Sequence, residues 1–216
     1  MLPPEFAAIL PQGAHAAWIS PLDAGPPPFR QEAEALGPVD PRRFREFSNG
    51  RRAARLALTV AGAADAPLLI RADRSPAWPK GYAGSITHTE QAAMAVVARH
   101  DHLASIGIDL ELLGSVEDEL VESVCTTEEW QSLAAVADPK SADLATAVFC
   151  AKEAVYKFQS PLTGVFLEFH DVRVSLAEDM SFRATSTHAD ANAVVSRGEG
   201  RLARAAGHWL AVFWAR

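Results

Sequence analysis

The sequence predicts an α+β fold. Three features lead there: a helix-forming stretch over 41–61, three strand-forming stretches in succession over 83–112, and two further helices followed by more strands. The order helix, strands, helices, strands lacks the regular βαβ alternation of a doubly wound parallel sheet.

The first 40 residues are rich in Pro, Gly and Ala and read as a short strand near 16–20, then loop and a marginal helix. The helix over 41–61 starts on Pro41, whose fixed φ suits a first turn. Pro67 and the stretch Arg74-Ser75-Pro76-Ala77-Trp78-Pro79-Lys80-Gly81 mark loops. Strands are expected over 83–88, 92–99 and 105–112. Thr126 or Thr127 is placed to cap a helix through Ala137, with Glu129 completing a capping box. Asp138-Pro139 opens the longest helix expected. Its apolar residues Leu144, Val148, Ala151, Val155 and Phe158 recur at helical spacing as one buried stripe, and Pro161 and Gly164 end it. Strands near 165–176, 181–187 and 208–214 close the chain.

Composition narrows the function. The 216 residues, 49% hydrophobic and 22% charged, are those of a soluble globular protein. A formal charge of −7 gives no reason to expect nucleic acid or an anionic membrane as a partner. Cys125 and Cys150 fall in no metal-binding or redox spacing and read as reduced core thiols of a cytoplasmic protein. No apolar run approaches the about 18 residues of a membrane span, and Met1-Leu2-Pro3-Pro4-Glu5 lacks the basic start of a secretory signal.

Four patches carry candidate chemistry. Ile106-Gly107-Ile108-Asp109-Leu110-Glu111-Leu112 alternates strictly, so a strand would project Asp109 and Glu111 from one face, about 6–7 Å apart at their roots. Two parallel carboxylates repel unless a hard cation lies between them, and Mg²⁺ suits such a pair beside phosphate oxygens. The bland alternative is a solvated acidic face. Glu153 and Lys157 stand four apart on one helix face with apolar flanks; the alternative is an exposed ion pair. Lys152 lies at a different azimuth. Gly84-Ser85-Ile86-Thr87-His88 ends a strand with two hydroxyls and an imidazole, which can donate to phosphate oxygens; the alternative, commoner for a lone histidine at a strand end, is a structural or surface role. Over 42–55, six arginines face one glutamate, a local +5 in an acidic chain. Arg51 and Arg55 share a face there, and guanidinium forks match phosphate oxygens; a solvated basic face is the alternative. Arg74 and Lys80 add cations in the loop before His88. The motifs of hydrolase elbows, P-loops, dinucleotide folds and HExxH zinc sites are missing.

Taken jointly, Glu46-Phe47-Ser48-Asn49-Gly50-Arg51-Arg52-Ala53-Ala54-Arg55, the stretch from Trp78-Pro79 to Thr87-His88, Gly107-Ile108-Asp109-Leu110-Glu111 and Phe149-Cys150-Ala151-Lys152-Glu153-Ala154-Val155-Tyr156-Lys157 resemble the 4′-phosphopantetheinyl transferase superfamily. The closest likeness is to the bacterial branch serving siderophore, peptide and polyketide synthetases. The patches follow family order over roughly 44–160, and the last two are its most specific signatures.

The resemblance implies two pseudo-symmetric α+β halves, 1–105 and 106–216, with coenzyme A in the cleft between them. It implies Mg²⁺ held by Asp109, Glu111, Glu153 and the Leu110 carbonyl. Thr87 and His88 would meet phosphates, and Arg51, Arg55 and Arg74 the 3′-phosphate region. Lys157 and His88 would act as fixed donors, and Glu153 as proton acceptor. Thr87 stands where serine is frequent, and the hydroxyl is kept. The expected reaction transfers phosphopantetheine from coenzyme A to a serine of an apo acyl, peptidyl or aryl carrier protein, with the enzyme a monomer. A coenzyme A-binding regulator without transferase activity and a Mg²⁺-dependent coenzyme A pyrophosphate hydrolase are the alternatives.

Overall fold

A computed structural model describes residues 1–20, 25–134 and 143–216. In chain order the elements are α1 (Pro4–Ala8), β1 (Ala14–Ile19), α2 (Arg30–Leu36), α3 (Pro41–Val60), β2 (Tyr82–His88), β3 (Ala93–Arg99), β4 (Ser105–Leu112), α4 (Val121–Val124), α5 (Thr127–Ala134), α6 (Asp143–Thr163), β5 (Val172–Leu176), β6 (Ser181–Ser186), α7 (Ala189–Val195), β7 (Glu199–Ala205) and β8 (His208–Ala215). The fold is α+β, as predicted, with two antiparallel sheets ordered β1-β3-β2 and β4-β8-β7-β6-β5.

Strand alternation sorts the core into layers. On β3, Ala93, Ala95 and Val97 face α3, while Met94, Val96 and Ala98 face the second sheet. Ile106, Ile108 and Leu110 of β4 and Leu210, Val212 and Trp214 of β8 meet them there. The opposite face of β8, with Trp209, Ala211 and Phe213, packs on α6 through Cys150, Ala151, Ala154, Val155 and Phe158. The order of layers is therefore helix, sheet, sheet, helix. Both β3 and β8 are covered on both sides, which is why they read as near-continuous apolar runs.

Local signals set the helix ends. Asp40 caps α3 by accepting from Arg42 N and Arg43 N at 2.9 and 3.0 Å, ahead of Pro41. Thr126 and Glu129 form the capping box of α5: Glu129 N donates to Thr126 Oγ1 at 3.2 Å, and Thr126 N to Glu129 Oε2 at 2.9 Å. The predicted continuation of α5 to Ala137 and the start at Asp138-Pro139 lie outside the described residues.

Three expectations are corrected. Pro161 does not end α6, which runs to Thr163 before Gly164 at φ +68°; in the last turn a proline forfeits a single backbone bond. The strand expected from 165 begins only at Val172. Val165 has its carbonyl taken by Gln159 Nε2 and its N–H by Thr163 Oγ1, which removes it from any ladder. The segment between the last two expected strands holds α7 and β7, and α1 precedes β1; none of the three was anticipated. Among the described residues no helix is long and apolar enough to cross a membrane.

Candidate active site

The site forms where two sheet edges meet. β2 and β4 are the outer strands of their sheets, and side chains bridge them in place of a backbone ladder. Ser85 Oγ accepts from Ile108 N at 3.1 Å and Thr87 Oγ1 from Leu110 N at 3.0 Å. A residue's N–H and C=O leave an extended strand on the same edge, so the Leu110 carbonyl also faces this junction.

Gly107 brings α6 against β4. A Cβ there would stand 2.0 Å from the Ala154 carbonyl oxygen and 2.5 Å from Phe158 N, so only glycine admits the helix backbone so closely. Ser105 Oγ donates to the Phe158 carbonyl at 2.8 Å, and the buried Cys150 thiol donates to the Asp109 carbonyl at 3.1 Å. The crossing puts Glu153 and Lys157, one turn apart on α6, alongside Asp109.

Asp109 is 4% exposed. Its Oδ1 accepts from Lys157 Nζ at 2.5 Å and from Thr87 Oγ1 at 3.1 Å. Its Oδ2 is buried with no hydrogen-bond partner among the described residues. Burial, and then the Asp109 charge, push the Glu111 carboxyl up to about 7, although Ser115 Oγ donates to it. Burial also raises Glu153, against the pull of Lys157. For Lys157, burial works to lower the pKa, but the charge and hydrogen bond of Asp109, with Glu153 and Cys150 adding, together hold the ammonium above its ordinary value. The exposed Glu153–Lys157 pair is not what forms: Lys157 is bound to Asp109 instead.

Among the described residues no three His, Cys, Asp or Glu side chains are drawn together as a preassembled metal cage. The donor set nevertheless fits Mg²⁺, which takes one or two carboxylates and completes its shell with water and substrate phosphate. An unpartnered buried carboxylate oxygen beside a carboxyl that resists ionisation is a pair that a cation would relieve.

A basic cavity of about 480 Å³ adjoins this cluster, lined by Arg43, Glu46, Arg51, Arg74, Ile86 and His88 among others. Arg51 is 6% exposed, with its guanidinium 4.5 Å from the Phe47 ring centroid and its Nε without a partner among the described residues. Burial lowers its pKa to about 10, with Glu32 opposing and Arg43 and Arg55 adding to the shift. Arg74, held at φ +67°, lines both this cavity and a neighbouring one of about 270 Å³ that reaches Trp78, Tyr156 and Lys157. Glu153 also lines a third cavity, of about 380 Å³, together with Tyr156, Phe166 and Phe169.

Arg43, not anticipated as a site residue, lies with Nη1 3.3 Å from His88 Nε2. A guanidinium only donates, so Nε2 accepts and the neutral ring carries its proton on Nδ1. Burial first, with Arg43 and Lys157 adding, lowers the His88 pKa despite Glu46. Its position two turns N-terminal to Arg51 on α3 was the available signal.

Arg55 is placed apart from this group. Its Nη1 donates to Glu32 Oε2 at 2.8 Å, and Glu32, fully buried, also accepts from Phe29 N and Leu68 N. Arg55 thus ties α3 to α2 and does not line the Arg51 cavity. Thr87 is likewise engaged at the sheet junction, and Lys80 is exposed on its turn. Lys152 is buried against Glu129.

A basic cavity beside a carboxylate–lysine cluster, at the seam of two antiparallel sheets, has the charge and donor set that suit a phosphorylated ligand. Residues 31–98 match the 4′-phosphopantetheinyl transferase N-terminal domain, and residues 105–215 match the 4′-phosphopantetheinyl transferase superfamily. The chain is 36% identical over 178 residues to the 4′-phosphopantetheinyl transferase Svp of Streptomyces mobaraensis, covering 81% of this chain and 72% of that protein. It is 33% identical over 152 residues to PptT of Mycobacterium tuberculosis, covering 70% of this chain and 66% of the relative. Enterobactin synthase component D of Salmonella typhi is 38% identical over 118 residues, 54% of this chain and 48% of that protein. The chain belongs to the 4′-phosphopantetheinyl transferase superfamily. It is an enzyme of the class that transfers phosphopantetheine to carrier proteins.

Proposed function

We propose that this enzyme moves the 4′-phosphopantetheine of coenzyme A to a serine of an apo carrier protein in a Mg²⁺-dependent reaction, releasing adenosine 3′,5′-bisphosphate. The observation that carries this reading is Asp109, whose Oδ1 is satisfied by Lys157 and Thr87 while its buried Oδ2 has no partner among the described residues, beside a basic cavity.

Arg51, Arg43 and Arg74 would hold the 3′-phosphate region. Arg51 is buried with no carboxylate ion pair among the described residues, which favours an anion, while Arg43, which also pairs with Glu46 at 3.5 Å, and Arg74 are exposed cations lining the same cavity. Neutral His88 would donate from Nδ1, and Lys157 from its ammonium, to the pyrophosphate oxygens. Asp109 and Glu111, with Glu153 and the Leu110 carbonyl in reach of the same junction, would hold Mg²⁺. When bound, the ion would supply charge neutralisation at the pyrophosphate. The serine oxygen attacks the phosphorus bearing pantetheine and loses its proton to Glu153. The bond from that phosphorus to the bridging oxygen breaks, and adenosine 3′,5′-bisphosphate leaves with the electron pair. Such chemistry depends on positioning and charge more than on covalent catalysis.

In this reading residues 1–105 supply the nucleotide-binding cations and 106–216 the carboxylates and Lys157. The enzyme works as a cytoplasmic monomer on acyl, peptidyl or aryl carrier proteins of siderophore, peptide or polyketide synthetases, a branch supported by the likeness to an enterobactin synthase component.

Mass spectrometry of apo carrier protein after incubation with enzyme, Mg²⁺ and coenzyme A tests the proposal. A gain of one phosphopantetheine on the carrier, abolished by chelator, is expected. Release of free phosphopantetheine would instead indicate a hydrolase, and binding without turnover a regulator.

A further inference from the structure

We infer that Thr87 is a positioning residue for the Asp109 carboxylate and makes no contact with the phosphates. This rests on the reading of Asp109 as a metal-facing carboxylate.

The argument is one of hydrogen-bond capacity. A threonine hydroxyl has one hydrogen and two lone pairs. Leu110 N–H takes one lone pair at 3.0 Å, and the single hydrogen goes to Asp109 Oδ1 at 3.1 Å. What remains is one acceptor site, which a phosphate oxygen, itself an acceptor, cannot use. Thr87 is also 4% exposed, and its branched β-carbon restricts rotation of the hydroxyl.

The same bond fixes which Asp109 oxygen is available. With Oδ1 held by Thr87 and Lys157, the unpartnered oxygen is Oδ2. Without the Thr87 bond, Asp109 would keep Lys157 alone and could rotate about its side chain. Outer-shell hydrogen bonds of this kind typically affect metal affinity by 10–100-fold. Ser85 is the internal comparison, because its hydroxyl bonds Ile108 N across the same junction without touching Asp109.

The experiment compares wild type, Thr87→Val, Thr87→Ser, Ser85→Ala and Asp109→Asn. Mn²⁺ binding is titrated by electron paramagnetic resonance without coenzyme A, and coenzyme A binding is measured calorimetrically in chelator. Thr87→Val should weaken Mn²⁺ about tenfold or more and lower kcat, with coenzyme A affinity in chelator changed less than about twofold. Thr87→Ser should restore Mn²⁺ binding. Ser85→Ala should lower the melting temperature as Thr87→Val does, yet bind Mn²⁺ as wild type does. Unchanged Mn²⁺ binding in Thr87→Val, with coenzyme A affinity reduced tenfold, would overturn the inference and return Thr87 to the phosphates. Equal Mn²⁺ losses in Ser85→Ala and Thr87→Val would overturn it in favour of general loosening of the junction. Mn²⁺ binding unaffected in Asp109→Asn would overturn both this inference and the metal-facing reading of Asp109. Binding lost in Asp109→Asn but kept in Thr87→Val overturns the role of Thr87 alone.

Discussion

Lys152 Nζ lies 2.8 Å from Glu129 Oε2, with both side chains 1% exposed. The ammonium donates also to the Val124 and Phe169 carbonyls at 2.8 Å, which uses all three of its hydrogens. Glu129 accepts from Thr126 N and, through Oε1, from Val174 N at 2.7 Å. The pair therefore joins α6 to α4, α5 and β5. Removing one partner from such a pair leaves a buried charge unpaired, at a typical cost of about 3–5 kcal/mol. Lys152→Met should lose stability in that range in urea melts. Adding Glu129→Gln should recover part of it, because glutamine is neutral and keeps an acceptor for Val174. A single-variant loss under about 1 kcal/mol would contradict this assignment.

Asp109→Ala and Glu111→Ala should each abolish transfer while leaving the circular dichroism spectrum unchanged. In the first variant the unpartnered oxygen is gone; in the second, the neighbour that shares its electrostatic burden is gone. Near-normal turnover in either one across a Mg²⁺ titration would remove that residue from the metal site.

His88 sets a pH dependence of stability. Its folded pKa is depressed below the ordinary 6.5 by burial and by Arg43 and Lys157. The unfolded chain then binds the proton more readily than the folded one. Stability from this group is complete above the unfolded pKa and is lost as pH falls through about 6.5 and below. Glu111, raised to about 7, gains stability over the same interval, so the His88 share is read as a difference: on acidification from pH 7 to 5 the melting temperature of the wild type should fall relative to that of His88→Gln. Identical slopes in the two proteins would mean that His88 is not held neutral.

Arg51 and Arg55 should behave differently although they share a helix face. Arg51→Met should weaken coenzyme A by about ten- to a hundredfold and affect 3′-dephospho-coenzyme A much less. Arg55→Met should lower stability by unpairing buried Glu32, and treat the two ligands alike. Equal losses for both ligands in Arg51→Met would detach it from the 3′-phosphate.

The two arginines also mark how far the sequence is legible. Both stand out as cations in an acidic chain, but the partner that commits Arg55 lies 23 residues upstream on a helix of marginal pattern. The alternation of β4 and the stripe of α6 were readable because each is written within one element. All five stripe residues, from Leu144 to Phe158, are buried. The Lys157–Asp109 bond spans 48 residues, and the Thr87 and Ser85 bonds depend on two sheets meeting edge to edge, which no local period encodes. β7 was missed because its buried positions, Gly200 and Leu202, alternate with Glu199, Arg201 and Ala203 in a stretch low in β-branched and aromatic residues.

Glu153 and Lys157 provide the sharpest test of the site. An exposed helix pair would contribute under about 1 kcal/mol, and its loss would leave rates alone. Lys157 is instead bound to Asp109 at 2.5 Å, and the Glu153 pKa is raised chiefly by burial. Lys157→Met should cut kcat by about 10²–10³, the loss typical of a donor aimed at developing negative charge. Glu153→Gln keeps the shape but removes both a ligand charge and a proton acceptor, so it should be the more severe. If accepting the proton is its main role, raising Mg²⁺ will not restore the rate; if ligation is, a partial recovery follows. Single-turnover rates at several Mg²⁺ concentrations, with melting curves alongside, separate the two roles. Unchanged rates in both variants would show that neither side chain takes part in the transfer.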